Sequence, residues 1–143
     1  NIGSLEHFKV VFDVMKMVDW DTFEEFERKY SYWDNTEARA KVLYVMNFYN
    51  SLGILLNEGI VKADEIYKQH SAGTIVGLYE KFKPFNDRWQ YQYMDGFRFL
   101  YGETKRRYPD AGKSGIARSL EEIIERAKQV DASYVKGASN QSS

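Results

Sequence analysis

At 143 residues the chain suits one domain, and folding at that size buries roughly two-thirds of the surface of the unfolded chain, enough for a real core. Hydrophobic residues make up 43% and aromatics 16%, with eleven Tyr, nine Phe and three Trp, so large rings must fill much of that core. The 20 basic and 21 acidic residues leave a formal charge of -1, which argues against a surface built as a whole for nucleic acid or anionic lipid, while the lack of cysteine excludes disulfides, a thiol nucleophile and Cys-ligated zinc.

Apolar residues recur at three and four positions almost throughout, and no alternating run bounded by hairpin turns stands out. A first helix is expected from Leu5, with Phe8, Val11, Phe12 and Met15 as its inward stripe and Ser4 as N-cap. A second is expected over Trp20 to Tyr30, capped by Asp19 or Asp21, with Phe23, Phe26 and Tyr30 on one side. In Asp34-Asn35-Thr36-Glu37 an Asp at N-cap and a Glu three residues on form a capping box, so the third helix begins there. On that reading Tyr30, Tyr32 and Trp33 pack on neighbouring helices, a ligand pocket beside them being the alternative.

The third helix carries Ala38, Val42, Val45, Met46, Tyr49, Leu52 and Leu56 as a stripe, widened by Leu43, Phe48 and Leu55, and is expected at the centre of the fold. Asn57-Glu58-Gly59 ends it, because glycine readily takes the left-handed conformation of a helix C-terminus. A short helix follows over Ala63 to His70. A fifth carries Ile75, Leu78, Phe82, Phe85 and Trp89, and Pro84 is expected to kink or split it near Lys83. A sixth begins near Asp95 with Phe97, Leu100, Tyr101, Thr104 and Tyr108 on one face. After a loop over Pro109 to Gly115, Ile116, Leu120, Ile123, Ile124, Ala127 and Val130 give an amphipathic last helix. The fold expected is therefore all-α, a single compact domain of about six or seven helices over residues 1–136, with a loose tail over 137–143 and no internal repeat.

Three segments together carry a resemblance: Tyr32-Trp33-Asp34-Asn35; Phe48 to Leu55 with Glu58-Gly59-Ile60-Val61; and Tyr79-Glu80-Lys81-Phe82-Lys83-Pro84. In combination they resemble a prokaryotic family of uncharacterised helical proteins, a domain of unknown function, over about Phe8 to Tyr101. The resemblance implies an all-helical fold and no assigned activity, so no catalytic residue is carried over. Some members of that family carry a membrane anchor ahead of the domain. For this chain, membrane association is expected only through a segment outside these residues, and the expected location is the cytoplasm, or a membrane if an upstream segment has been removed.

No arrangement in the sequence demands a particular chemistry. His7 and His70 have no carboxylate or second histidine at helical metal-pair spacing, so no metal or cofactor is expected and both read as surface or half-buried imidazoles. Glu24, Glu25 and Glu27, like Glu121, Glu122 and Glu125, fall on polar faces rather than in a cleft that would separate their pKa values. Gly112-Lys113-Ser114 echoes the end of a phosphate-binding loop, but Arg107 stands where its first glycine belongs and no strand precedes it. The expected function is a non-catalytic interaction or regulatory module that binds another protein or self-associates, with Arg88, Tyr91, Lys105, Arg106 and Arg107 as binding residues. Cations interleaved with rings also fit nucleic acid, the alternative reading of the same patch.

Overall fold

A computed structural model describes residues 5–88 and 94–112, together with 125, 128 and 129. Within them the chain forms α1 (Leu5–Met15), α2 (Phe23–Lys29), α3 (Thr36–Asn57), α4 (Ala63–Gln69), α5 (Ala72–Arg88) and α6 (Asp95–Arg107), with no strand among the described residues. The expected all-α class holds. Of the helix anticipated over Ile116 to Val130, Glu125, Lys128 and Gln129 are helical and exposed, and the rest lies outside the described residues, as does the tail.

α3 is the central element, as its apolar stripe implies. Val42, Val45, Met46, Tyr49, Leu52 and Gly53 are buried along it, and α1 and α6 pack against it. Its contact with α6 is made by backbone on backbone, because glycine faces glycine: a Cβ on Gly53 would lie 1.7 Å from the Gly96 carbonyl oxygen, and one on Gly96 would lie 2.1 Å from the Asn50 carbonyl oxygen. Close approach lets Asn50 do the work of a missing N-cap. Met94 offers α6 no side-chain cap, but the Phe97 amide donates to Asn50 Oδ1 at 3.1 Å, so an orphan N–H of one helix is satisfied by another. Tyr49 and Phe97 stack beside this crossing at 5.3 Å.

The end of α3 follows from its last residues. Gly59 takes φ 74°, the Ile60 amide donates to the Leu55 carbonyl at 2.9 Å and the Gly59 amide to Leu56 at 3.1 Å, the paired bonds of a Schellman motif. α5 is not split at Pro84, one of the two outcomes expected there. It runs unbroken from Ala72 to Arg88, with Phe82 and Phe85 on either side of the proline both fully buried. Packing across the proline outweighs one lost bond, and Trp20 adds a tie there: its indole N–H donates to the Lys81 carbonyl at 2.8 Å while the Lys81 ammonium donates to the Trp20 carbonyl at 3.2 Å.

Two helix starts differ from the sequence reading. α2 is shorter than expected and begins after Thr22, whose hydroxyl accepts from the Glu25 amide at 3.1 Å while the Glu25 carboxylate accepts from the Asp21 amide at 2.9 Å. Trp20 is thereby left outside the helix, buried against Phe26 and Phe85. The N-cap of α3 is Asn35 without a side-chain cap, and Asp34 instead accepts from the Ser31 hydroxyl at 3.1 Å, its own amide donating back at 3.0 Å. A turn closed on itself has replaced the capping box. The inward face of α1 is also rotated: His7, Val11, Val14 and Met15 are buried, whereas Leu5 and Phe12 are exposed.

Candidate functional site

The segment between α2 and α3 presents its rings to solvent, contrary to the expectation that they pack on neighbours. Tyr30 alone turns inward, its hydroxyl donating to the Met17 carbonyl at 3.0 Å and lying 3.3 Å from Asp19 Oδ1; burial first, then Asp19, pushes that hydroxyl up to about 12. Tyr32 is 62% exposed and Trp33 86% exposed, and the two rings meet edge to face at 5.1 Å. Everything from Tyr32 to Glu37 is exposed. The segment is nevertheless fixed at both ends. Asn35 Nδ2 donates to the Lys29 carbonyl at 3.3 Å, and the Thr36 hydroxyl donates to the Tyr32 carbonyl. Behind it Arg39 anchors the start of α3 on α2, pairing with Glu27 at 2.7 Å, donating to the Tyr30 carbonyl at 3.0 Å and covering the Phe26 ring.

Arg88 is exposed at the end of α5 and lies over the Phe23 ring at 5.9 Å, beside a shallow cleft of about 300 Å³ that Asp21, Thr22, Glu24 and Asp87 also line. Tyr91, expected to share that surface, lies outside the described residues. The basic turn of α6 packs elsewhere, against α4. Lys105 donates to the Ala111 carbonyl at 2.9 Å and so holds the following turn. Glu103 takes both arginines: Arg106 Nε donates to Oε2 at 3.1 Å with a second bond from Nη2 to Oε1, and Arg107 Nε donates to Oε1 at 3.1 Å. Arg107 also pairs with Asp64 at 3.3 Å and lies over the Tyr67 ring. Hydrogen bonds from Arg106 and Arg107 hold the Glu103 carboxyl below the usual carboxylate range. Arg88 and the basic turn therefore engage different helices, and the cations of the turn face two carboxylates.

The two histidines are not surface groups. His7 is 2% and His70 4% exposed, and their rings meet edge to face at 5.9 Å, with Phe8, Phe48 and Tyr49 around His70. His7 Nδ1 is 3.1 Å from the Tyr44 hydroxyl. Burial lowers both imidazoles from their ordinary value, that of His70 to about 4, with the charge of His7 adding to the effect. The sequence carried a signal for this: His7 stands four before Val11 and His70 four after Ile66, each on a buried stripe.

Glu25 closes the cap of α2 and Glu27 holds Arg39, so neither is part of a free carboxylate pair. Among the described residues no three of His, Asp and Glu converge as metal ligands, and no helix is long and apolar enough to cross a membrane. No curated protein matches the chain. No solved structure matches it either. The sequence pattern of one family, described as a domain of unknown function (DUF4760), matches residues 7–99, a span that holds the exposed rings, the central helix and both histidines, and the chain belongs to that family.

Proposed function

We propose that this domain is a non-catalytic interaction module that binds another protein, with Tyr32 and Trp33 as its anchor. The observation that carries the reading is the 86% exposure of Trp33 on a segment whose ends are hydrogen-bonded in place. A large ring on a backbone already held in place costs less ordering on binding and gains on the order of 2–3 kcal/mol when fully buried. Tryptophan and tyrosine are also enriched where interfaces concentrate their energy. Asp34 and Glu37 flank the rings in the same exposed run, so the partner surface that fits is an apolar recess bordered by Lys or Arg. Arg88 is proposed as a second contact region, where the guanidinium covers Phe23 beside the cleft.

The nucleic-acid reading of Lys105, Arg106 and Arg107 has less support, because Glu103 and Asp64 already face the two arginines and Lys105 is tied to a backbone carbonyl. Parallel affinity captures with the parent, Trp33→Ala and Arg88→Ala test the proposal. A protein retained by the parent across a salt series and lost on Trp33→Ala supports it. Retention that collapses steeply with salt and ignores Trp33 points to phosphate contacts instead, and loss of self-association alone on Trp33→Ala would make a second copy the partner.

A further inference from the structure

We propose that His70, together with His7, is an acid-sensitive latch that holds the first two turns of α1 against α3 and α4 while neutral and releases them when protonated. The latch depends on how α1 is fastened. Its second half is anchored by Val11, Val14 and Met15, and Asp13 pairs with Lys41 of α3 at 3.1 Å. Its first half has Leu5 and Glu6 in solvent and Val10 partly buried beside the anchors, and its ring contacts converge on the imidazoles: His7 against His70, Phe48 and Tyr44, and Phe8 against His70.

A proton on His70 finds no counter-charge among the described residues. From α1 it faces His7 and Phe8, and from α3 Phe48 and Tyr49, whose hydroxyl burial holds neutral far above physiological pH. The carboxylates of the elements around it are directed elsewhere: Glu6 to Lys9, Asp13 to Lys16 and Lys41, Asp64 to Arg107, and Glu65 to solvent. Lys68, two positions before His70, is exposed and of the wrong sign. An imidazolium in such a site costs more than one in water, and the least expensive relief is to lift the end of the helix that covers it. The segment that moves is set by the anchors: the chain pivots at Val11, and Phe48 and His70 are uncovered.

His70 in the closed form has a pKa lowered to about 4 from 6.5, so the closed form is fully favoured above 6.5 and is progressively lost as the pH falls from 6.5 toward 4. Between pH 7 and pH 5 the closed-to-open ratio for α1 should fall on the order of tenfold or more.

Amide hydrogen exchange of the whole chain, corrected for intrinsic rates, tests this across that range, alongside NMR titration of the two imidazoles. The expected result is a loss of protection of about tenfold over Leu5 to Phe12, with the Ile75 to Phe85 amides of α5 unchanged. One imidazole should titrate well below 6.5 in step with that loss. His70→Phe keeps a ring but no titrating nitrogen, and α1 should then stay protected at pH 5. The proposal is overturned if both imidazoles titrate near 6.5 with α1 still protected, or if His70→Phe loses protection in parallel with the parent. If that variant does not fold, the parent decides alone: α1 protection that is flat while the buried imidazole titrates rules the latch out.

Discussion

Replacing Gly53 by Ala puts one methyl group where the backbones of α3 and α6 touch. The new Cβ would stand 1.7 Å from the Gly96 carbonyl oxygen and 2.3 Å from its carbon, about half an ordinary contact distance, and the obstacle is helix backbone with no rotamer to change. The helices must part locally by roughly 1.5 Å, a gap that forfeits well over half of the dispersion attraction across that face. The Asn50 to Phe97 bond and the Tyr49–Phe97 stack lie on the same seam. Overpacking of this kind costs about 1–3 kcal/mol and loss of the cap about 1 more, while alanine regains about 1 kcal/mol of helix propensity. The net is a destabilisation of about 1–3 kcal/mol, or a fall in Tm of roughly 3–12 °C for a domain of this size. Gly102, in the middle of α6 with nothing within 4 Å of its Cβ position, is the matched control and should gain up to about 1 kcal/mol as Ala. Thermal and urea unfolding followed by far-UV circular dichroism compare the two. If Gly53→Ala raises Tm as Gly102→Ala does, the two helices do not cross at their glycines and the packing argument fails.

Asn50→Ala should cost about 1–2 kcal/mol with helix content intact, since it leaves the Phe97 amide without its acceptor; an unchanged urea midpoint would mean that α6 needs no borrowed cap. Asp34→Ala removes only an exposed turn bond to Ser31, so its cost should stay below about 0.5 kcal/mol, and a loss above 1 kcal/mol would restore Asp34 as the cap of α3. Glu103→Gln releases Arg106 and Arg107 at the surface: stability should change by less than about 1 kcal/mol, while binding to single-stranded nucleic acid should rise and become more salt-dependent. Because the Glu103 carboxyl is lowered in the folded chain, its small contribution is present above the ordinary carboxylate value and is lost as pH falls through the lowered one. A melting difference between parent and Glu103→Gln that grows below pH 4 would contradict that sign.

The parts of the fold governed by local backbone rules were legible in the sequence. Asn57-Glu58-Gly59 puts glycine where a Schellman end needs it, and the residues of the stripes Val42 to Leu52 and Ile75 to Phe85 are buried as their spacing implies. In α1 the expected stripe was half right: Val11 and Met15 are buried and Phe8 is half-buried, but hydrophobicity put Phe12 inward where the finished fold uses His7, which completes the stripe with Val11 and Val14 and meets Tyr44 and His70 across the fold. That pairing depends on chain distant in sequence. The same holds for the Gly53–Gly96 crossing and for the indole of Trp20 on the Lys81 carbonyl. Trp33 was misplaced for the opposite reason, since ring count alone assigns every tryptophan to a core and only the finished packing shows which one is left over. In the basic turn the neutralising Glu103 was readable, three residues before Arg106 and four before Arg107 on one helix face.

Incorporating a photoreactive phenylalanine analogue at Trp33 and irradiating the native cells tests the binding surface most directly, because the ring itself reports what touches it. One discrete heavier adduct of this chain with another protein is expected at Trp33, absent when the analogue replaces Lys83 on the exposed side of α5. No adduct at Trp33, or one that forms equally at Lys83, would contradict it.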